Sequence, residues 1–379
     1  MDLTKLREQI NSIDDEIVKL YAKRLDLVKS VAEYKAANGI GVTDETRENE
    51  IIYRLSSKVQ DGYKLYVKEL YSTVFTTCKA YQSALINKSG TTADKLKVFL
   101  KEGARPFPVS ATVACQGVAG SNAYAAATRL FPICETSFFK SFDGVFSAVD
   151  KGLCEFGVLP IENSTAGSVN EVYDLMRKYD FHIVKSVRLK INHCLAGVKG
   201  ANLSDIKTVA SHPQALYQCE EYVRKLGAKP QPAENTATAA KELALCGDLQ
   251  KAVLCSEECA DIYGLTILDR AVQDNSSNYT RFICICKDLR VYEGCDKISV
   301  MTSLSHKPGS LNKTLGRFAA LGLDLTKIES RPIMSSPFEF MFYFDFEGNV
   351  LDEKIISLIA ELENASDNFV FLGGYKEIF

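Results

Sequence analysis

The apolar positions of the first 88 residues keep a helical step. Leu6, Ile10, Ile13, Ile17, Leu20, Leu27, Val31 and Tyr34 recur at steps of three, four and seven, the stripe of a helix packed in a bundle. One position breaks it: the apolar residue due at 24 is Arg24. The segment lacks proline, Asn38-Gly39 is a stop signal, and further helices are predicted from about 44 and over 63–87. Near 109 the pattern changes. Short apolar runs at 110–114, 156–161, 181–188, 207–210, 252–255 and 282–286 alternate with helical stretches at 121–130, 168–179 and 213–226. That alternation predicts α/β layers with largely parallel strands.

Residues 89–108, with Ser89-Gly90 and later Pro106 and Pro108, read as a linker holding one short helix. After a charged connector at 287–296, a third pattern runs strand 297–304, helix 310–321, strands 324–331 and 338–346, helix 352–364, strand 368–375. This β-α-β-β-α-β order is the ferredoxin-like α+β arrangement. The expected organisation is thus an all-α helical bundle at 1–88, an α/β domain at 109–286 and an α+β domain at 297–379.

Bulk chemistry narrows the function. The chain has 379 residues, enough for two or three cores. Its 45 basic and 48 acidic residues offer no polycation for phosphates, so no nucleic acid is expected. No apolar run approaches the length of a membrane span and Met1-Asp2-Leu3-Thr4-Lys5 opens no signal peptide, so a soluble, cytoplasmic protein is expected. Twelve scattered cysteines fit reduced thiols. With four histidines and no His-x-x-x-His spacing, neither metal nor cofactor is expected.

Arg24 on an apolar stripe costs several kcal/mol unless paired. Lys35 lies about three turns on and projects on the same side, whereas Arg7 is roughly 100° round the helix. Arg7 is therefore poorly placed to join that pair within one chain, but a partner chain in an antiparallel dimer could supply it. Asp44, Arg47 and Glu48 fall at i, i+3 and i+4 of the second helix, and Cys78 and Gln82 share a face of the third. A solvated charged helix remains the plain alternative. Together these residues resemble the all-helical class of chorismate mutase, with Leu6-Arg7, Arg24, Lys35, Asp44-Glu45-Thr46-Arg47-Glu48 and Gln82 in the family's order. The resemblance implies an intertwined homodimer, or a higher homo-oligomer, in which Arg7 crosses into the partner's site. Rearranging chorismate to prephenate transfers no proton, so catalysis means clamping two carboxylates and stabilising charge on the breaking ether oxygen. By resemblance Arg7 and Arg24 take the carboxylates, Lys35 and Gln82 the ether oxygen and Glu48 the ring hydroxyl, with Asp44, Arg47 and Cys78 as further contacts. Cys78 stands where many relatives have Ser.

In the α/β domain polar clusters follow the strands: Gly117-Val118-Ala119-Gly120-Ser121, Glu162-Asn163-Ser164-Thr165, Ser211-His212-Pro213-Gln214 with Gln218-Cys219, and Glu234-Asn235-Thr236. Each reads equally as a helix N-cap; five polar rims, counting the loop Asn275–Thr280 that enters the run at 282–286, argue for a lined cleft. With Pro160-Ile-Glu-Asn-Ser164, His193-Cys-Leu195 and Asn278-Tyr-Thr-Arg-Phe282 they resemble prephenate dehydratase. The resemblance implies two lobes built like a periplasmic binding protein, about 109–188 with a return at 265–286, and about 190–262. Loss of hydroxide and CO2 from prephenate leaves phenylpyruvate and is driven by aromatisation. Catalysis then needs a donor at the leaving hydroxyl and a partly desolvated carboxylate. By resemblance Thr280 is that donor and Glu162 a candidate proton source. Arg281 and the Gly120-Ser121 turn suit carboxylates, with Asn163, Ser164, Ser211, Gln218, Glu234 and Phe282 as further substrate contacts.

His306-Lys307-Pro308-Gly309-Ser310-Leu311 and Glu329-Ser330-Arg331-Pro332 resemble an ACT domain, which implies L-phenylalanine as effector. The family's Trp-Glu-Tyr appears as Phe338-Glu339-Phe340. A ferredoxin-like fold serving dimerisation alone is the alternative at this level. The whole reading is a bifunctional enzyme of phenylalanine biosynthesis. Its rival is a non-catalytic amino-acid-sensing protein with a helical dimerisation element.

Overall fold

The computed structural model describes residues 2–41, 44–85, 91–275, 277–304, 308–332, 340–366 and 368–379. Its helices in chain order are α1 (Leu3–Ala37), α2 (Glu45–Ser56), α3 (Lys64–Leu85), α4 (Thr92–Glu102), α5 (Asn122–Leu130), α6 (Phe142–Asp150), α7 (Asn170–Tyr179), α8 (Pro213–Gln218), α9 (Glu220–Leu226), α10 (Thr236–Cys246), α11 (Glu257–Ile262), α12 (Ser310–Ala320) and α13 (Glu353–Asn364). The strands are β1 (Ser110–Gln116), β2 (Ile133–Phe139), β3 (Phe156–Asn163), β4 (Gly167–Ser168), β5 (His182–Lys190), β6 (Cys194–Gly197), β7 (Thr208–Ser211), β8 (Lys229–Pro232), β9 (Lys251–Cys255), β10 (Thr266–Asp269), β11 (Tyr279–Cys286), β12 (Lys297–Ser303), β13 (Leu325–Pro332), β14 (Phe340–Glu347) and β15 (Phe369–Ile378). Two compact units result: Met1–Glu102 with Met301–Phe346 and Leu351–Phe369, and Gly103–Val300 with Glu347–Val350 and Val370–Phe379.

In the first unit α1 starts on an Asp2 cap, whose carboxylate accepts from the Thr4 N–H, and packs on α3. The face it buries is not the predicted stripe. Val28 and Ala32 are buried and Tyr21, Arg24, Leu25 and Lys35 half-buried, whereas Ile10, Ile13, Ile17, Leu20, Leu27, Val31 and Tyr34 are all exposed within the chain. The helix thus carries two stripes, and Arg24 belongs to the one on α3 rather than interrupting the other. The short linker helix is α4, whose first turn is capped by Glu363 of α13: Thr92 donates to that carboxylate from its N–H at 3.1 Å and its Oγ1 at 3.0 Å. The C-terminal strands follow the order β13-β14-β12-β15, with β13 at the edge.

The second unit has two α/β lobes, each with its own sheet. One reads β15-β5-β11-β3-β1-β2 with β4 on β3, and the other β10-β6-β9-β7-β8. The first core gathers Val113, Cys115, Phe131, Phe156, Val158, Val187 and Phe282, and the second Ala210, Ala240, Leu243, Val253 and Cys255. The expectation of largely parallel strands needs correction. β1 pairs in parallel with β2 and β3, and β7 with β8 and β9, but β11 runs antiparallel to β3 and β5, and β6 to β9 and β10. The chain passes to the second lobe after β5 and returns at β11; β10 lies in the second sheet, so the return starts near 279 rather than at 265. No helix among the described residues is long and apolar enough to cross a membrane.

Candidate active sites

On the helical face Arg24 sits between two α3 residues. Its Nη1 donates to Cys78 Sγ at 2.5 Å, and its guanidinium lies 5.7 Å from the Phe75 ring centre. Gln82, one turn beyond Cys78, is buried, and its Oε1 has no hydrogen-bond partner among the described residues. A buried amide oxygen in that state is a deficit that a polar ligand removes. Glu48 of α2 meets Lys79 of α3 at 2.8 Å, both half-buried. Lys79 is a cation that the sequence reading passed over; its place beside Cys78 in the chain was the available signal.

Other members of the predicted set do not join this cluster. Asp44 is the N-cap of α2, its carboxylate accepting from the Arg47 N–H at 3.0 Å. Arg47 turns outward to Glu50 at 2.9 Å, leaving Glu48 alone of the three to face α3. Arg7 is exposed near the start of α1, about 25 Å from Arg24 at the helical rise.

In the α/β unit a polar network surrounds Thr280, which is buried where β11 begins. Asn163, at the end of β3 and opposite Thr280 in the ladder, donates from Nδ2 to Thr280 Oγ1 and to Asn278 Oδ1, both at 2.8 Å. The Thr280 oxygen is therefore an acceptor here, and its own proton remains to be given elsewhere. Asn278 Nδ2 donates to Gln218 Oε1 at 3.0 Å. The same Gln218 oxygen is 3.2 Å from His193 Nε2, which places the imidazole proton on Nε2. Burial holds the His193 pKa below its ordinary value, only partly opposed by Gln218. Thr165 closes the circle through Asn163 Oδ1 at 2.9 Å and Gln218 Nε2 at 3.4 Å. His193, Asn278 and Thr165 were quoted in motifs, yet not singled out as site residues.

The neighbours of Thr280 point elsewhere. Side chains alternate across a strand, so Arg281 projects from the opposite face, where it meets Glu162, its ladder partner on β3, at 3.8 Å. Glu162, the candidate proton source, is thereby turned away from Thr280, and Arg281, expected at a carboxylate, lies on the face opposite the Thr280 hydroxyl. Phe282 is buried in the first lobe's core. Ser211 is buried and donates to the Leu254 carbonyl at 2.8 Å. Ser164 anchors the loop before β11, donating to the Ser277 carbonyl and accepting from the Tyr279 N–H. His212 caps α8 through Nδ1, with Pro213 as its first residue, and Asn235 caps α10. Glu234 is exposed.

A second polar corner lies at the end of β1. Ser121 caps α5, and Gly117 and Gly120 hold φ of +104° and +79°. A Cβ on Gly120 would stand 3.2 Å from the Cys259 Cα of the second lobe, and Tyr263 Oη donates to the Ala119 carbonyl at 2.8 Å. The lobes approach each other at this corner.

In the C-terminal segment Gly309, at φ +84°, precedes α12, with Ser310 and Leu311 half-buried and Pro308 exposed. On β13 Glu329 and Arg331 are half-buried and Ser330 exposed, and Glu329 meets Lys327 at 3.2 Å. His306 and Phe338-Glu339 lie outside the described residues.

Two family models match the chain: chorismate mutase type II over residues 6–83 and prephenate dehydratase over 113–290. A bifunctional chorismate mutase/prephenate dehydratase of Buchnera aphidicola is 30% identical over 97% of this chain and 95% of its own. The chain belongs to the bifunctional chorismate mutase/prephenate dehydratase family. It rearranges chorismate to prephenate and converts prephenate to phenylpyruvate in phenylalanine biosynthesis. The chain is also similar to arogenate dehydratase/prephenate dehydratase 2 of Arabidopsis thaliana, at 39% identity over 69% of this chain and 72% of that one. Among solved structures, prephenate dehydratase from Arthrobacter aurescens in complex with L-Phe superposes with a TM-score of 0.64, at 29% identity, covering 70% of this chain and 89% of that one.

Proposed function

We propose that the mutase site is built on Arg24, Lys35, Glu48 and Gln82, and the dehydratase site on Thr280, supported by Asn163 and Gln218. Arg24 is held by Cys78 and Phe75 with its remaining donors available for a carboxylate. Gln82 donates from its amide Nε2 to the ether oxygen, which can only accept, and Glu48 accepts from the ring hydroxyl. Arg7 of the partner subunit completes the clamp, since α1 carries its own Arg7 too far along the helix to bend back. The exposed stripe on α1 supports that homodimer.

One observation carries the dehydratase reading. Thr280 Oγ1 accepts from Asn163, so its proton is directed to the leaving hydroxyl as a hydrogen bond. A threonine hydroxyl is too weak an acid to give its proton up, and aromatisation supplies the drive. The segments are a mutase at 1–88, a linker at 89–108, a dehydratase at 109–286 and a ferredoxin-like ACT domain at 297–379. The strand order β13-β14-β12-β15, interleaved with α12 and α13, supports that last assignment. Phenylalanine then binds near Gly309 and the Glu329-Ser330-Arg331 strand as feedback inhibitor, in keeping with the complex of the Arthrobacter enzyme with L-Phe. All twelve cysteines are free thiols, in keeping with a cytoplasmic enzyme.

The test feeds chorismate, and separately prephenate, to the wild type, Arg24→Ala and Thr280→Val. Arg24→Ala should lose chorismate consumption by about a hundredfold or more, a few kcal/mol, with prephenate turnover intact. Thr280→Val keeps the β-branched shape and should block phenylpyruvate formation alone. Near-normal dehydration by a folded Thr280→Val would remove Thr280 from the site.

A further inference from the structure

Arg281 and Arg188 stand directly opposite each other on β11 and β5. Like charges so placed repel, and Arg281 is almost fully buried. What reconciles them comes from β15, whose last residues pair in parallel with β5 and set Glu377 beside Ser186 on the same face. The Glu377 carboxylate, itself buried, lies 2.7 Å from Arg188 Nε, 3.0 Å from Lys297 Nζ and 3.6 Å from Arg281 Nη1, and accepts from Ser186 Oγ at 3.3 Å. With Glu162 on the far side of Arg281, one rung across three strands reads Glu162, Arg281 and Arg188, and Glu377 reaches it from β15, where it stands opposite Ser186. Thr280 occupies the opposite face of β11, one residue earlier.

We propose that Glu377 is a positioning residue of the dehydratase: its carboxylate fixes Arg281 on the back of β11 and so holds Thr280 in register against Asn163. The ladder gives the reason. β11 pairs with β3 as Thr280 to Asn163 and Arg281 to Glu162, then shifts register at Phe282. A slip at that irregularity would carry Thr280 away from Asn163, and a charged rung anchored on both sides of Arg281 opposes it. Removing the carboxylate takes the shared anion from three cations, two of them buried. The residue lies well beyond the segment that matches the dehydratase family, on a strand the sequence assigns to the C-terminal domain.

The inference rests on Thr280 acting at the leaving hydroxyl. It is tested on the full chain with Glu377→Gln, Glu377→Asp and Arg188→Gln, measuring prephenate kcat and KM, mutase turnover and the thermal midpoint of each. Arg188→Gln takes a cation from the same carboxylate while sparing its contact with Arg281. Expected are a kcat loss of about tenfold or more for Glu377→Gln with KM within about threefold, about threefold for Glu377→Asp, and under about twofold for Arg188→Gln. Mutase turnover should stay unchanged in all three. A Glu377→Gln enzyme with wild-type kcat overturns the proposal, as does an equal kcat loss in Arg188→Gln. If Glu377→Gln does not fold, the Asp variant decides: a kcat loss absent from Arg188→Gln upholds the proposal, and equal kcat overturns it. Thr280→Val separates the two levels. An active Thr280→Val sinks the site itself, whereas an inactive one beside a fully active Glu377→Gln rejects only the role of Glu377.

Discussion

Asn163 uses both ends of its amide. Nδ2 serves Thr280 and Asn278, and Oδ1 accepts from Thr165 Oγ1 and the Thr165 and Ala166 N–H groups. Asn163→Asp keeps the shape but turns the donor into an acceptor facing two other oxygens. Losing that donor and leaving its partners unmatched should cost about 3 kcal/mol, or about a hundredfold in dehydratase kcat. The mutase rate of the same preparation is the internal standard, and a drop below threefold would mean that Thr280 is oriented by something else. His193 makes a second prediction at this scale. Burial depresses its pKa below the ordinary imidazole value of 6.5, so the folded chain resists the proton that the unfolded chain takes up. The neutral ring costs nothing above that value. As the pH falls from there towards the depressed value, stability is lost. The thermal midpoint should therefore drop as the pH falls below about 6.5, and His193→Gln should flatten that part of the curve. An unchanged slope in the variant would assign the acid sensitivity to other groups.

The helix α1 shows how legible an element is when its pattern is long and what a single chain conceals. Its stripe was visible from spacing alone, and the sequence rightly marked Arg24 as exceptional, but for the wrong reason. Two adjacent stripes, one for α3 and one left exposed, look like one interrupted stripe when read linearly. The α/β elements were legible wherever a strand is apolar on both faces, as in β3, β9 and β11. They were missed where it is not: β2 lies at a sheet edge, and its alternating, mostly exposed residues give no apolar run. In the site, motif resemblance ran ahead of strand geometry. Period two already dictated that if Thr280 faces the cleft then Arg281 does not, and Phe282, being apolar on that strand, was a core residue. Ser211, His212 and Asn235 turned out to cap or brace, the plainer reading of each. The exposed stripe yields a prediction. Leu20 is 66% exposed, so Leu20→Asp should leave the chain folded. If the stripe is the dimer seam, sedimentation should show monomers and mutase activity should fall by about tenfold or more, because Arg7 no longer reaches Arg24. Dimers with full mutase turnover would place the interface elsewhere.

At the scale of the molecule the two chemistries ask for different things, and the chain supplies them from different architectures. A proton-free rearrangement needs fixed cations, and the proposed ones, Arg24 and Lys35, stand on a helix. An elimination needs an oriented donor, and a sheet ladder carries Thr280 and Asn163. Regulation by phenylalanine requires a ligand that distinguishes two states, since one binding both equally shifts nothing. Gly309 is the place to test whether the C-terminal segment contains that ligand's site. Its φ of +84° is strained for any β-branched residue, yet a Cβ there would meet nothing within 4 Å among the described residues. Gly309→Val therefore breaks no packing among the described residues, and its cost there is local backbone strain of about 1–2 kcal/mol. A ligand seated against the Gly309 backbone would meet the new side chain directly. Dehydratase rate measured against phenylalanine concentration should show the inhibition curve moved to higher concentration by about tenfold or more, with the uninhibited rate within about twofold. A variant inhibited as readily as the wild type would leave the C-terminal fold a dimerisation element and move the effector's site away from α12.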